Sequence, residues 1–210
     1  MGNVRQPAVA GQFYPEDPEE LRGMITGYLE EARADLPMFE GKPRALVLPH
    51  AGYVFSGPVA AYGFETLREQ EYDTVIIIAV SHVTYFDGIH VYNGDGYKTP
   101  FGTVPVNRGK VARLHAASER FGEFLQAERG EHSVEVMVPW LQEVLGEGFT
   151  LVDIILSGDA PDDWQVLADA LAGIVDDKTL VIASSDLTHY PNYTDSVYAD
   201  TKTLNAILTG

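Results

Sequence analysis

Three stretches of the chain share one pattern, a run of apolar and largely β-branched residues that ends close to a histidine. The runs are Ala45 to Pro49, Val75 to Ser81 and Leu180 to Leu187, and a fourth run without a histidine covers Thr150 to Leu156. Continuous apolar runs predict strands that are buried on both faces, as in parallel sheets covered by helices. We therefore predict the α/β class, with an α/β/α sandwich around a mostly parallel central sheet.

The segments between these strands carry apolar residues at helical spacing, and this alternation of strands and helices is typical of an α/β fold. The predicted helices cover Glu19 to about Leu36, Pro58 to about Gln70, Lys110 to Ala117, Glu131 to Leu145, Pro161 to Val175 and Ser196 to Leu208. The segment Ile89 to Val106 differs, because its short alternating runs and turn signals predict a hairpin-like insertion.

Histidines follow three of the predicted strands. His50 and His82 come directly after the first two runs, and His189 follows the last one together with Asp186. Ligands of such sheets bind at the carboxyl ends of the strands. We therefore expect these four side chains to line one site.

A second pair of polar side chains lies at the start of the predicted helix Glu131 to Leu145. His132 and Glu135 are three residues apart, so a helix would project both from one face. There they would form a proton-transfer pair or orient bound water. His90 and His115 are predicted instead to be packed or to face solvent.

The absence of cysteine limits the metal sites that this chain can build. Any metal must use imidazole, carboxylate or water, and two or three imidazoles with a carboxylate suit Fe(II), Zn(II) or Mn(II). With open coordination positions, such a site supports oxygen activation or metal-assisted hydrolysis. The spacing alone leaves the metal and the reaction open.

The net charge and the length of the sequence limit the partners and the domain organisation that we expect. A net charge of −17 and a pI near 4.5 argue against nucleic acids and anionic membranes as partners, because both would repel the chain. The N-terminus lacks a signal-peptide pattern, and no run approaches the ~20 apolar residues of a membrane-spanning helix. We expect a cytoplasmic protein with a single domain over residues 1–210.

Four ordered blocks of sequence resemble the Memo family, whose prokaryotic members are named AmmeMemoRadiSam system protein B. The blocks are Leu48 to Tyr53 with Ser56-Gly57, Ser81-His82, Glu131 to Pro139, and Ser184 to Tyr190. The opening segment, Arg5 to Pro15, also resembles the start of that family. Together these blocks span nearly the whole chain.

The resemblance implies the fold of LigB-type extradiol dioxygenases around a mononuclear non-haem metal pocket. It implies that His50 and His82 ligate the metal, with iron first and copper or zinc as alternatives, and that His132, Asp186 and His189 line the same cavity. The implied function is a dioxygenase-like oxidoreductase that acts on an unidentified small molecule. The family name also implies a functional link to an AMMECR1-type domain and a radical-SAM protein.

Two other functions stay open at this point. One is a non-catalytic protein that uses the pocket to bind a metal, a peptide or a small ligand. The other is a metal-dependent hydrolase in which Asp186 and Glu135 position water on a zinc-like ion.

The chain departs from the family in one respect that concerns the metal. The family's third ligand, commonly a cysteine, lies in a further C-terminal segment, whereas this sequence ends at Gly210 without any cysteine. Either the sequence is a truncated form, or water or a residue such as Asp186 takes the place of that ligand.

Overall fold

The computed structural model describes residues 3–37, 41–158 and 161–209, and the strands found there form two sheets. The strands are β1 (Val4–Arg5), β2 (Ala45–Leu48), β3 (Thr74–Val80), β4 (Ile89–Val91), β5 (Gly96–Thr99), β6 (Gly102–Pro105), β7 (Phe121–Gly122), β8 (Thr150–Leu156) and β9 (Thr179–Ser184). The central sheet has the order β2-β9-β3-β8-β4-β7, and a smaller sheet has the order β1-β5-β6.

The central sheet is mostly parallel, as predicted. β2, β9, β3 and β8 run parallel to one another, while β4 pairs with β8 in the antiparallel sense. Every residue of β8 after Thr150 is buried, and so are the first four residues of β3. Burial on both faces is the property that the continuous apolar runs predict.

Helices flank this sheet and complete the predicted class. They are α1 (Pro18–Asp35), α2 (Tyr53–Glu65), α3 (Arg108–Ala117), α4 (Val138–Leu145), α5 (Pro161–Ala172) and α6 (Tyr193–Thr209). α1 begins where the side chain of Asp17 accepts hydrogen bonds from the amides of Glu19 and Glu20. Among the described residues, no helix is both long and apolar enough to cross a membrane. The prediction of an α/β/α fold is confirmed.

α2 anchors the end of β2, from which the first candidate histidine follows. Gly63 lies so close to Leu48 of β2 that a β-carbon at this position would overlap the leucine side chain. The ring of Phe64 stacks on that of Trp140 in α4, with centroids 5.1 Å apart. Because these contacts are tight, they fix the position of the residues that come after β2.

The start of α2 was predicted wrongly at Pro58, and the helix begins five residues earlier, at Tyr53. Gly52 precedes the first turn, and the hydroxyl of Ser56 donates to the carbonyl of Ala51. The amide of Tyr53 donates to the carbonyl of Phe13, so a contact with a distant segment turns the chain at this point. Such a contact leaves no local signal in the sequence.

The continuous helix predicted from Glu131 to Leu145 is also wrong. Residues 131–134 are not helical, Glu135–Met137 form one 3₁₀ turn, and α4 starts only at Val138. Pro139 has no N–H to donate to the carbonyl of Glu135, so it is accommodated in the first turn of α4 rather than inside a longer helix. His132 and Glu135 therefore do not share one face of a helix.

The hairpin-like insertion predicted over Ile89 to Val106 is correct only in its second half. β5 and β6 pair as an antiparallel hairpin, and β1 from the N-terminus adds to β5. β4, however, belongs to the central sheet, where its three residues are buried against β8. A strand of three residues is too short to show the period that distinguishes a buried strand from a surface one.

Exposed apolar residues occur on both β2 and α2. β2 is an edge strand of the central sheet in the described part of the chain, and its Val47 is 46% exposed. The outer face of α2 is apolar too, and its exposed residues are Val54, Phe55, Val59 and Tyr62.

Candidate metal centre

Three imidazoles meet at the carboxyl end of the parallel strands. His50 follows β2, His82 follows β3, and His132 lies in the loop before the 3₁₀ turn. One ring nitrogen of each lies within 4.8 Å of the corresponding atoms of the other two. The ring centroids of His50 and His82 are 4.9 Å apart, and those of His82 and His132 are 4.6 Å apart. The structure thus brings together the two histidines that the family resemblance named as ligands and one that it named as a cavity residue.

The His50 ring is buried and its orientation is fixed by a chain of hydrogen bonds. Its Nδ1 lies 2.8 Å from Oγ of Ser184, at the end of β9. That hydroxyl donates its own proton to the carbonyl of Ser133, at 2.6 Å, so it accepts a proton from Nδ1. The lone pair of His50 is therefore on Nε2. Burial lowers the pKa of His50 to about 4, so the ring is neutral at pH 7.

His82 is more exposed, and a carboxylate orients it. Its Nδ1 lies 3.1 Å from Oε1 of Glu131, and its backbone amide donates to Oε2 of the same residue at 2.6 Å. A carboxylate only accepts, so Nδ1 carries a proton, and in the neutral ring the lone pair is on Nε2. The hydrogen bond with Glu131 raises the pKa of His82 above its usual value.

Glu131 is a residue of the site that the sequence analysis did not select. Its side chain is buried, and it also accepts hydrogen bonds from the amides of His132 and Ser133, at 2.9 and 3.0 Å. Burial by itself raises the pKa of this carboxyl, but its hydrogen bonds with His82 and with the backbone outweigh burial and lower it to about 2. The only available signal was an acidic residue directly before His132.

His132 completes the cluster in a partly apolar setting. Its ring centroid lies 4.6 Å from that of Phe13, and its Nδ1 lies 3.5 Å from Oε1 of Glu131. Burial lowers the pKa of His132, so the ring is neutral at pH 7. A neutral imidazole in this position is able to take up a proton or to offer a lone pair.

Asp186 and His189 lie at the rim of the same site. Oδ1 of Asp186 accepts a hydrogen bond from the amide of His50 at 2.7 Å, and its Oδ2 lies 3.8 Å from Nε2 of His50. The same Oδ2 lies 3.6 Å from Nε2 of His189, whose side chain is half exposed. Asp186 thus stands between a buried imidazole and one that faces solvent.

Glu135 is engaged elsewhere. Its carboxylate accepts hydrogen bonds from Arg5, from the amides of Ala8 and Val9, and from the hydroxyl of Tyr14, at 2.6 to 3.0 Å. The side chain is fully buried. These four bonds occupy both oxygens of the carboxylate. Glu135 therefore does not pair with His132, although that expected pairing was the reason for selecting Glu135 as a candidate.

A second group of potential ligands lies outside this site. His90, Glu128 and Asp153 also offer ligand atoms within 4.8 Å of one another. His90 is packed, as predicted, and its Nδ1 accepts a hydrogen bond from the amide of Phe124 at 2.9 Å. The ring proton is therefore on Nε2, which donates to Oε1 of Glu128 at 2.6 Å. Because no lone pair of His90 faces the two carboxylates, this group is a hydrogen-bonded network rather than a metal site.

Comparisons with known proteins agree with the blocks identified in the sequence. A sequence model of the family described as Memo-like protein matches residues 5–209. A MEMO1 family protein of Methanopyrus kandleri is 36% identical, over 97% of this chain and 75% of its own length. MEMO1 family proteins of Thermotoga maritima and Sulfolobus acidocaldarius are 38% and 35% identical, each over 97% of this chain and 76% of its own length.

Proposed function

This chain belongs to the Memo-like protein family, and on that premise we propose that it binds a divalent metal ion through His50 and His82 and is a dioxygenase-like oxidoreductase acting on a small molecule. Iron is the metal that we propose first. His132 is the proton-transfer group, and Asp186 and His189 contact the ligand at the rim of the site.

The observation that carries the proposal is the state of the ring nitrogens in His50 and His82. Both rings have Nδ1 held by an acceptor, Ser184 in one case and Glu131 in the other, at 2.8 and 3.1 Å. Metal-ligating histidines commonly donate their second N–H in this way, because the bond fixes the tautomer and makes the ligand nitrogen more basic. The donor set therefore fits a divalent ion held by two Nε2 atoms.

The metal and the protein have separate tasks in this proposal. Imidazole ligands suit iron, copper and zinc, and a redox-active ion such as iron supplies the activation of O₂ that a dioxygenase requires. The chain orients the two ligands, and the ring of Phe13 covers one side of His132. Solvent and substrate reach the site from the side of His82 and His189, which are the exposed members of the group.

The proton chemistry follows from the protonation states. His132 is neutral at pH 7 because burial lowers its pKa, so it accepts a proton from a substrate hydroxyl. Asp186 links the rim to the interior, since its Oδ2 lies within 3.8 Å of Nε2 of both His50 and His189. An exposed imidazole beside a carboxylate is suited to pass that proton on to solvent.

A second candidate function, a metal-dependent hydrolase, is favoured by one specific feature. The cluster of ligand atoms contains three imidazoles and no carboxylate, because Glu131 bonds to the far nitrogen of His82. Three histidines with an open position are a known ligand set of catalytic zinc, where the ion activates a bound water. In this alternative His132 is a ligand rather than a proton acceptor.

The first test is the metal content of the protein purified without chelators, measured by elemental analysis. The double variant His50→Ala/His82→Ala is compared with His115→Ala, which removes an imidazole from α3 outside the cluster. We expect stoichiometric iron in the unchanged protein and in His115→Ala, and its loss from the double variant.

The other outcomes separate the candidates. Zinc in place of iron, lost in the same double variant, supports the hydrolase and contradicts the oxidoreductase. If iron is bound but no oxygen is consumed with any of a panel of catechols, the chain is a metal-binding protein without oxidoreductase activity. A protein that binds no metal even after anaerobic reconstitution with Fe(II) contradicts both metal-dependent functions.

A further inference from the structure

The guanidinium of Arg5, in the short strand β1, forms hydrogen bonds with one segment of the chain that is far away in sequence. Nε bonds to Oε2 of Glu128 at 2.5 Å, and Nη1 bonds to Oε2 of Glu135 at 2.6 Å. Nη2 donates to the carbonyl of Glu131 at 2.5 Å and to that of Glu128 at 3.3 Å. The side chain of Arg5 is only 7% exposed, so water does not compete with these bonds.

The segment that Arg5 holds is the one that carries the orienting carboxylate of the metal centre. Arg5 contacts the main chain of Glu131, whereas the carboxylate of Glu131 bonds to the ring and the amide of His82. That carboxylate also accepts from the amides of His132 and Ser133. A displacement of the Glu131 backbone would therefore move the carboxylate away from His82.

The rest of the opening segment strengthens the same connection. The carboxylate of Glu135 is bound by Arg5 and also by the amides of Ala8 and Val9 and the hydroxyl of Tyr14. Phe13, one residue before Tyr14, lies against the ring of His132. Residues 5–14 and 128–135 thus form one hydrogen-bonded unit, although more than a hundred residues separate them.

We propose that Arg5 is a positioning residue of the metal centre, which acts by holding the Glu131 backbone so that the Glu131 carboxylate keeps its hydrogen bond with His82. The inference rests on the proposed metal site. A guanidinium is required because its planar fork bonds to several acceptors in fixed directions, whereas the ammonium group of lysine is a single point charge. Arg5→Lys therefore keeps the charge and removes the fork.

The test is a double-mutant cycle on the affinity for Co²⁺, a metal probe whose absorption spectrum reports its ligands. The proteins are the unchanged chain, Arg5→Lys, Glu131→Gln and the double variant. The matched control is Arg120→Lys, because Arg120 also bonds in a forked way, to Asp163, and its ion pairs in the described structure are with Asp87 and Asp163 rather than with the segment 128–135. We expect Arg5→Lys to weaken Co²⁺ binding about 10-fold, the lower value for residues that orient metal ligands. Arg120→Lys is expected to change nothing.

Coupling between the two sites is what distinguishes positioning from general destabilisation. If Arg5 acts through Glu131, then Arg5→Lys has little further effect once Glu131 is Gln. Additive effects of the two changes, an unaltered affinity in Arg5→Lys, or an equal loss in Arg120→Lys would each overturn the proposal.

A second measurement does not need the metal. Amide hydrogen exchange at His132 and Ser133 reports whether the Glu131 carboxylate still accepts their N–H groups. Faster exchange in Arg5→Lys but not in Arg120→Lys supports the positioning role. This holds even if the unchanged protein binds no Co²⁺, because the absence of Co²⁺ binding would contradict only the proposed metal site. If Arg5→Lys does not fold, Glu128→Gln removes one charged partner of Arg5, and unchanged exchange at both amides in that variant overturns the inference.

Discussion

Two clusters of side chains that could ligate a metal, both in the described part of the chain, look alike by distance and differ in the position of a ring proton. In both, three potential ligand atoms lie within 4.8 Å of one another. At His50 and His82 the proton of the neutral ring is on Nδ1, held by Ser184 and Glu131, so the lone pair is on Nε2. At His90 the amide of Phe124 donates to Nδ1, so Nε2 carries the proton.

This difference shows that the hydrogen bond at one ring nitrogen of a neutral imidazole decides whether the other nitrogen carries a proton or a lone pair. The His50 cluster has free lone pairs and opens to solvent, which are the properties of a ligand site. In the cluster of His90, Glu128 and Asp153, His90 donates to Glu128 and Arg5 closes the group, while Oδ1 of Asp153 has no hydrogen-bond partner among the described residues. Because His90 directs its proton rather than a lone pair at Glu128, the group is a structural network. Proximity of ligand residues alone would have assigned the same role to both.

The largest expected effect that tests this comparison is on stability. Arg5→Ala removes the cation of the second cluster and leaves Glu128 and Glu135 buried without it. We expect the free energy of unfolding to fall by about 3–5 kcal/mol, as for other buried ion pairs that lose one partner. Urea denaturation measures this loss. His82→Ala, at an exposed imidazole of the first cluster, is expected to cost less, and an equal loss would contradict the distinction.

The next effect concerns metal affinity. Glu131→Gln removes the charge that orients His82, so we expect the affinity for Fe(II) to fall about 10- to 100-fold, as for other changes next to a metal ligand. Calorimetric titration under argon measures it. Asp153→Asn converts a carboxyl of the second cluster into an amide and is expected to leave the affinity for Fe(II) unchanged, so a comparable loss in this variant would mean that the metal is bound at the second cluster.

A smaller effect follows from the pKa of His82, which its hydrogen bond with Glu131 raises above the usual value of 6.5. A metal ion has to displace the proton, so affinity rises with pH until His82 is deprotonated, by about tenfold per pH unit if one proton is released. His50, with a pKa of about 4, contributes nothing above pH 6. Metal titrations at several pH values test this, and in Glu131→Gln the rise is expected to end at a lower pH.

The smallest effect is expected for the stability of Asp153→Asn. Burial raises the pKa of Asp153 well above its usual range and so favours the uncharged carboxyl, which a neutral amide of nearly the same shape resembles. We expect a change in unfolding free energy within about 1 kcal/mol, the size of one neutral hydrogen bond. A loss as large as that of Arg5→Ala would mean that the carboxylate is charged.

The sequence predicted the elements of the fold that are buried, because burial requires apolar residues and their runs are visible in the sequence. The apolar runs of β3 and β8 are buried over most of their length, so their composition was sufficient to identify them. The runs of β2 and β3 placed His50 and His82 at the carboxyl ends of two strands that lie on either side of β9, and their convergence followed from the parallel sheet. The three-residue strand β4 carried too little pattern to be recognised as part of that sheet.

The parts of the site that escaped prediction depend on contacts between distant residues. Arg5 and Glu135 are 130 positions apart, and no local spacing indicates that they pair. Glu131 acts through hydrogen bonds with His82, which is 49 positions away. His132 was selected on two grounds, the family resemblance and a helix that would have paired it with Glu135. That helix does not form, and His132 reaches the cluster from a loop.

Among the described residues β2 lies at the edge of the central sheet, and this position has a consequence for the solubility of the protein. Edge strands with exposed apolar residues such as Val47 are templates for pairing with another copy, and charge is one means of preventing it. At neutral pH the net charge of −17 keeps copies apart, but near the pI of about 4.5 this repulsion vanishes. The acidic surface therefore prevents association of copies at neutral pH, and we expect the protein to precipitate on mild acidification.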